Sequence, residues 1–193
     1  MDSNNVGKWN DRYKNLDVTN PVVYGDRITY MAAAKFLSDC AEVEDWGCGS
    51  GGFMYYRPDA IGVDGSDTVF AKKKFVNLCE YFTHCESIHI RHILEHDIGW
   101  QQILKNAVQG ATRKLVVTMF LIPVECETHI REQGGASGVD DSVVTLQISR
   151  KEFMDILNDD KIESIESKVL NTGSCYGTEE IFYITMKQKK ETV

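Results

Sequence analysis

Apolar residues in this chain fall into short runs, separated by segments in which they recur every three or four positions. Short runs of this kind predict buried strands, and the longer periodicity predicts amphipathic helices. Strands are predicted at residues 42–46, 60–63, 75–78, 87–91, 114–121, 162–170 and 181–187. Because helical segments separate the first five strands, the pattern predicts an α/β fold with a mostly parallel sheet.

Helices are predicted at residues 9–13, 30–38 and 100–108, with a brief helical turn at 67–72. Thr29 is expected to cap the second helix, and Ser149 with Glu152 forms a capping box that opens a helix ending near Leu157. We interpret residues 1–193 as a single domain, with residues 1–40 as an N-terminal helical cap. The glycine-rich residues 122–143 are expected to form a flexible insertion on the substrate side.

The most informative stretch begins in the first predicted strand and ends after the second. Gly47, Gly49 and Gly52 satisfy the spacing of a dinucleotide-binding turn, although that spacing alone is a weak signal. Asp64 ends the second strand with a carboxylate that could accept hydrogen bonds from both hydroxyls of a ribose. The stretch therefore predicts a site for an adenosine-bearing cofactor at the carboxyl edge of the sheet.

The residues before the glycines indicate which cofactor this is. A dinucleotide turn binds a diphosphate, which a preceding carboxylate would repel. Glu44 and Asp45 precede the first glycine here, and a negative charge at that point suits a cationic ligand. The ammonium and sulfonium groups of S-adenosylmethionine (SAM) fit this charge, so we favour SAM over a nicotinamide dinucleotide.

With these motifs the sequence resembles the class I SAM-dependent methyltransferases over roughly residues 9–187. The resemblance implies a Rossmann-like sheet of seven strands in the order 3-2-1-4-5-7-6, with the last strand antiparallel and helices on both faces. It also implies which residues surround the cofactor. The expected cofactor-binding residues are Asp45, Trp46, Gly47, Cys48, Gly49, Gly51, Asp64, Gly65, Asn77, Leu78, Arg91, His92, Tyr13 and Tyr24.

Candidate catalytic groups follow the fourth predicted strand, where substrate meets cofactor in such sheets. His92, Glu95 and His96 are the candidates for a base that removes a proton from the acceptor. A simpler interpretation is that Glu95 and His96 only fix the turn. The spacing of the three, together with His129, also resembles the metal site of small-RNA 2′-O-methyltransferases and ubiquinone-pathway O-methyltransferases, but His92 departs from that pattern and a metal is not favoured.

Composition narrows the acceptor. The chain has 193 residues and a formal net charge of −8, which disfavours binding to a nucleic-acid backbone. The cysteines show no metal-binding spacing and no signal-peptide core is present, so a cytoplasmic protein without a membrane segment is expected. We predict methyl transfer to a hydroxyl or amine of a small molecule, with O-methylation favoured and a protein or peptide acceptor left open. An NAD(P)-dependent oxidoreductase and a non-catalytic SAM-binding subunit are the alternatives.

Overall fold

A computed structural model describes residues 6–13, 20–23, 25–131, 144–173 and 177–188 of the chain. Its centre is a sheet of seven strands. They are β1 (Val43–Trp46), β2 (Ile61–Val63), β3 (Ala71–Lys73), β4 (Cys85–Arg91), β5 (Ala111–Met119), β8 (Ile162–Asn171) and β9 (Thr178–Met186). Two further short strands, β6 (His129–Ile130) and β7 (Leu146–Gln147), form a separate antiparallel pair.

The strands lie in the order β3-β2-β1-β4-β5-β9-β8. The first five are parallel, and β9 runs antiparallel to both β5 and β8. Numbered without the separate pair, this order is 3-2-1-4-5-7-6, so the predicted topology is confirmed. The strand order reverses between β1 and β4, which places the switch point of the sheet beside the glycine turn.

Helices cover both faces of the sheet. The described residues form four α-helices, α1 (Val6–Tyr13), α2 (Arg27–Phe36), α3 (Trp100–Gly110) and α4 (Arg150–Leu157). Buried residues of α3 and α4, such as Ile103 and Phe153, pack on one face against Ile90 and Val117. The other face is covered by α2 and by the 3₁₀ turn Gly52–Tyr55. No helix within the described ranges is long and apolar enough to cross a membrane.

The third strand lies earlier in the chain than predicted. It covers Ala71–Lys73, where a helical turn was expected, and not residues 75–78. Phe75 has a φ of 57° and a side chain that is 68% exposed, so it cannot continue a strand. The segment 64–84 is otherwise irregular, and the expected helices around β3 are absent from it. Apolar residues there predicted burial in a strand, whereas Val76 and Leu78 instead line the cavity described below.

Two helix starts illustrate how local signals succeed or fail. Ser149 caps α4, accepting a hydrogen bond from the Glu152 amide at 3.4 Å, as the capping box predicts. The cap of α2 is Asp26 and not Thr29: its carboxylate accepts from the Ile28 amide at 2.7 Å. Thr29 is buried within the helix and donates its hydroxyl to Glu179 at 3.0 Å. The prediction failed because the Thr29 hydroxyl bonds to Glu179, which is distant in the chain, and not to the start of the helix.

Candidate active site

A cavity of about 210 Å³ opens at the carboxyl edge of the parallel strands. Each of the first five strands contributes the residues that follow its end, which is where open α/β sheets bind their ligands. The lining residues from these strand ends are Gly47, Cys48, Gly49, Ser50, Asp64, Gly65, Ser66, Val76, Leu78, Arg91, His92, Ile93 and Phe120. Five separate strand ends therefore converge on one site.

The turn after β1 depends on glycine for both conformation and space. Gly47, Gly49 and Gly51 have φ values of 69°, 49° and 77°, in the left-handed region that other residues rarely occupy. A Cβ atom at Gly47 would lie 2.1 Å from Cδ1 of Ile93, and one at Gly49 would lie 2.7 Å from the Tyr13 hydroxyl. The turn therefore passes closely beneath the side chains that face it across the cavity.

The amides of the three left-handed glycines of this turn already have acceptors within the protein. The Gly47 amide donates to Val63 O at 2.7 Å, the Gly49 amide to Asp64 Oδ2 at 2.8 Å, and the Gly51 amide to Cys48 O at 2.8 Å. Only a 3₁₀ turn follows, so there is no α-helix N-terminus aimed at the cavity. A diphosphate binds to amides that have no acceptor within the protein and to the positive end of a helix dipole. The turn is therefore poorly suited to a nicotinamide dinucleotide.

Asp64 connects the turn after β1 with the turn after β2. Its Oδ1 accepts from the Ser66 amide at 2.8 Å and from the Ser66 hydroxyl at 2.6 Å, while Oδ2 accepts from Gly49. A carboxylate offers about four acceptor positions, so Oδ2 retains one. Burial raises the pKa of the Asp64 carboxyl, and the charge of Asp45 adds to that rise. Asp64 can thus bind one hydroxyl of a ribose, whereas the sequence predicted both.

Four of the described residues expected at the cofactor do not line the cavity, namely Asp45, Trp46, Gly51 and Asn77. The carboxylate of Asp45 lies in the sheet, where Oδ1 is 2.7 Å from Nδ1 of the buried His89. Trp46 is fully buried in the core, and its indole nitrogen donates to Glu44 at 2.8 Å. Glu44 also accepts from Lys73 at 2.6 Å. Glu44 and Asp45 point to opposite faces of the sheet, because adjacent residues of a strand alternate, and neither lines the cavity.

Arg91, the last residue of β4, belongs to a buried ion pair that the sequence did not reveal. Its Nη2 lies 3.2 Å from both carboxylate oxygens of Glu179, which is on β9 and fully buried. The guanidinium also donates to Thr29 and Tyr30, each at 3.1 Å. Burial alone would raise the pKa of Glu179, but the adjacent His92, Arg91 and Thr29 side chains hold it at about 2. The sequence signal for this ion pair was the two consecutive acids Glu179 and Glu180 in an otherwise largely apolar strand.

His92 lines the cavity beside this pair, in a backbone conformation with φ of 57°. Its Nε2 lies 3.3 Å from Glu179 Oε2, without hydrogen-bond geometry. Burial, followed by the positive charge of Arg91, lowers the pKa of His92 to about 4. The imidazole is therefore neutral at physiological pH.

Glu95 and His96, the other two candidate bases, separate in the structure. His96 lines the cavity, and its Nδ1 lies 3.1 Å from the carbonyl oxygen of Val144. Glu95 is fully buried behind the wall of the cavity, where Oε1 accepts from the Phe120 amide at 2.7 Å. Burial raises the pKa of Glu95 to about 7. Glu95 therefore bonds a backbone group, as in the simpler interpretation, but the group belongs to the turn after β5 and not to the turn after β4 that was predicted.

The N-terminal helix α1 crosses the mouth of the cavity. Trp9 and Tyr13 line it and stack on each other with ring centroids 6.0 Å apart. The side-chain amide oxygen of Asn10 accepts from the Asp67 amide at 2.7 Å, which fixes the helix to the loop after β2. Tyr13 therefore lies where the sequence placed it. Tyr24 falls outside the described residues.

The remaining predicted residues divide between the cavity and its surroundings. Cys48, Gly65 and Leu78 line the cavity, but Asn77 is exposed and its Oδ1 accepts from the Cys79 amide at 3.1 Å. Exposed His129 is held by the carbonyl oxygen of Glu127 at 2.9 Å. Over the described part of the chain, no three His, Cys, Asp or Glu side chains converge as metal ligands would. His92, Glu95, His96 and His129 do not form one cluster.

Comparison with known proteins identifies the fold. A scan against protein-family models finds no match, and a search of curated proteins finds no relative. Among solved structures, the N-methyltransferase NodS of Bradyrhizobium japonicum in complex with S-adenosylhomocysteine (SAH) matches with a TM-score of 0.64 and 12% identity, over 96% of this chain and 100% of that chain. The chain has the class I SAM-dependent methyltransferase fold.

Two further structures give the same result. The magnesium protoporphyrin IX methyltransferase of Synechocystis with bound SAH matches with a TM-score of 0.59 and 14% identity, over 83% of both chains. The 1,6-didemethyltoxoflavin-N1-methyltransferase of Burkholderia thailandensis matches with a TM-score of 0.61 and 11% identity, over 96% of this chain and 84% of that chain. At such identities the likeness establishes the fold, and the reaction has to be argued from the site.

Proposed function

We propose that this protein is a SAM-dependent methyltransferase that methylates a hydroxyl or amine of a small molecule. One observation carries the proposal: the glycine turn and Asp64 meet in a single cavity at the switch point of the sheet, with the turn amides already bonded inside the protein. Such a site suits an adenosine group with a cationic sulfur and disfavours a diphosphate. Solved structures of the same fold hold SAH, which supports the choice of cofactor.

The residues fit SAM at three points. The open acceptor position of Asp64 Oδ2 suits a ribose hydroxyl, and the backbone of Gly49 borders the cavity where the methionine part would lie. Val76 and Leu78 offer an apolar surface for the adenine, beyond Asp64 on the side of β3. When bound, SAM supplies a methyl group already activated by the positive sulfur, so the protein chiefly has to align the acceptor and exclude water.

The site favours acceptors that need little help in losing a proton. His92, with a pKa of about 4, is a weak base. Taking a proton from a phenol-like hydroxyl with a pKa near 10 would then cost about 8 kcal/mol at about 1.36 kcal/mol per pKa unit, and an alkyl hydroxyl, with a pKa near that of water at about 16, would cost about twice as much. A neutral amine needs no prior deprotonation, and an acidic hydroxyl needs the least. We therefore infer an amine or a phenol-like hydroxyl as the acceptor group, and His92 as a residue that positions it.

Binding measurements test the cofactor. By isothermal titration calorimetry, wild-type protein is expected to bind SAH and not NADH. Asp64→Asn should weaken SAH binding about 10- to 100-fold, the range expected for a lost hydrogen bond to a charged group. Asp67→Asn is the matched control, because Asp67 is an exposed carboxylate paired with Lys74, and its SAH affinity should stay within twofold of wild type.

Two results would contradict the proposal. Tighter binding of NADH than of SAH would favour the oxidoreductase, and an unchanged SAH affinity in Asp64→Asn would remove the carrying observation. Product formation then separates an enzyme from a non-catalytic subunit. An enzyme should convert SAM to SAH with at least one member of an amine and phenol library, whereas a non-catalytic subunit would bind SAM and convert none.

A further inference from the structure

One wall of the cavity is built almost entirely from rings. We call Trp9, Tyr13, His92, His96 and Phe120 the ring wall; all five line the cavity. Ring centroids lie 6.0 Å apart for Trp9 and Tyr13, 5.7 Å for Trp9 and His96, 5.2 Å for His96 and Phe120, and 5.1 Å for His92 and Phe120. The five rings therefore form one continuous surface.

Apart from Tyr13, whose hydroxyl lies close to Gly49 of the glycine turn, the ring wall lies on the acceptor side of the site. In the sheet, β2 and β3 lie on one side of β1, and β4 and β5 lie on the other. Asp64 and Val76 follow β2 and β3, so the nucleoside occupies that side. His92 and Phe120 follow β4 and β5, on the opposite side of the glycine turn. The wall is thus available to a second molecule when SAM is bound.

The charge of this side excludes an anionic acceptor. Arg91 is the only arginine or lysine among the described lining residues. Its guanidinium is already paired with Glu179 and donates to Thr29 and Tyr30. Among the described lining residues, no lysine or arginine is left to bind a carboxylate or phosphate, and Asp97 adds negative charge to the cavity. A ligand on this side is therefore uncharged or cationic.

We propose that the methyl acceptor is a planar aromatic compound without negative charge, stacked against the ring wall with its hydroxyl or amine directed to the centre of the cavity. Aromatic ligands gain from offset and edge-to-face contacts with such rings beyond the burial of their surface. A saturated ring of the same size buries similar area but lacks those contacts. This inference rests on the proposed function, because it takes SAM to occupy the Asp64 side.

Matched probes test the inference on SAH-loaded protein by calorimetry. 2-Naphthol, its saturated counterpart decahydro-2-naphthol, and the anion 2-naphthoate share one bicyclic skeleton. We expect 2-naphthol to bind at least about tenfold more tightly than either of the others. In Phe120→Leu and Trp9→Leu, the preference for 2-naphthol over the saturated alcohol should fall below about threefold while SAH affinity is retained. Phe82→Leu is the control, since Phe82 is 73% exposed and lies outside the cavity.

The outcomes separate the two proposals. If SAH binds but the two alcohols bind equally, or 2-naphthoate binds more tightly, or 2-naphthol does not bind, the aromatic acceptor is refuted and the methyltransferase assignment stands. If SAH itself does not bind, the proposed function fails and this inference fails with it. A preference that persists in both ring-wall variants would place the probe elsewhere and would also refute the inference.

Discussion

Replacing Glu95 by glutamine tests whether this carboxyl is a structural group and not a catalytic base. The side chain has no exposed surface, and its Oε2 has no hydrogen-bond partner among the described residues. Burial raises its pKa from 4.5 to about 7. A raised carboxyl pKa means that folding favours the protonated form. The stability that the protonated Glu95 carboxyl contributes is therefore fully present below about pH 4.5 and is lost as the pH rises through 7.

The size of the effect follows from the shift. A rise of about 2.5 pKa units corresponds to about 3 kcal/mol at about 1.36 kcal/mol per unit. Glutamine cannot ionise, and its carbonyl oxygen can still accept from the Phe120 amide. We therefore expect Glu95→Gln to match wild type within about 1 kcal/mol at pH 5 and to be about 2 to 3 kcal/mol more stable at pH 8.5.

Urea denaturation of both proteins at pH 5, 6.5 and 8.5 measures this difference. Contributions from His92 and Glu179 occur in both proteins and cancel in the comparison. Glu163→Gln is the control, because Glu163 is exposed on β8 and its substitution should give a difference that does not change with pH. A difference for Glu95→Gln that stays constant with pH, or that favours wild type at pH 8.5, would refute the burial argument. SAH affinity should be unchanged, since Glu95 does not line the cavity.

Two further substitutions test the groups around the cavity. Glu179→Gln leaves the buried guanidinium of Arg91 without its full counter-charge and should cost about 3 kcal/mol of unfolding free energy. Glu180→Gln is the control and should cost about 1 kcal/mol or less, because its partner Arg150 is partly exposed. Equal losses of the two variants in urea denaturation would contradict this. Gly49→Ala forces a strained φ and displaces the Tyr13 hydroxyl, so it should weaken SAH binding at least tenfold, while Gly7→Ala, which meets nothing within 4 Å, should leave it unchanged. A Gly49→Ala protein with wild-type SAH affinity would contradict the close approach.

The parts of the site that the sequence predicted are local in the chain. The glycine turn and Asp64 were found because each directly follows a strand, and the carboxyl ends of adjacent parallel strands meet at one edge. Positions that depend on side-chain competition were not found. Phe75 carries the signature of a strand residue, but its positive φ ends any strand there, and no sequence pattern specifies that conformation.

Contacts between distant segments were beyond sequence reasoning. Arg91 and Glu179 are 88 residues apart and meet only because β9 inserts beside β5. Each residue alone looks like an ordinary charge in a strand. The same pairing neutralises the charge of Arg91 beside the cavity, and the proposed choice of acceptor depends on it. Such a contact becomes visible only once the order of the strands is known.

The preference for SAM over a dinucleotide also has a different physical basis from the one first inferred. The sequence argument assigned it to the charges of Glu44 and Asp45, yet Asp45 contacts His89 inside the sheet and Glu44 is paired with Lys73. The discrimination instead comes from Asp64, which occupies the Gly49 amide that a diphosphate would need. Asp45 acts at longer range, because its charge still adds to the rise in the pKa of Asp64 that burial causes. The two acids therefore disfavour an anionic ligand by different means. Asp64 occupies an amide donor that the ligand would need, and Asp45 contributes a negative charge nearby.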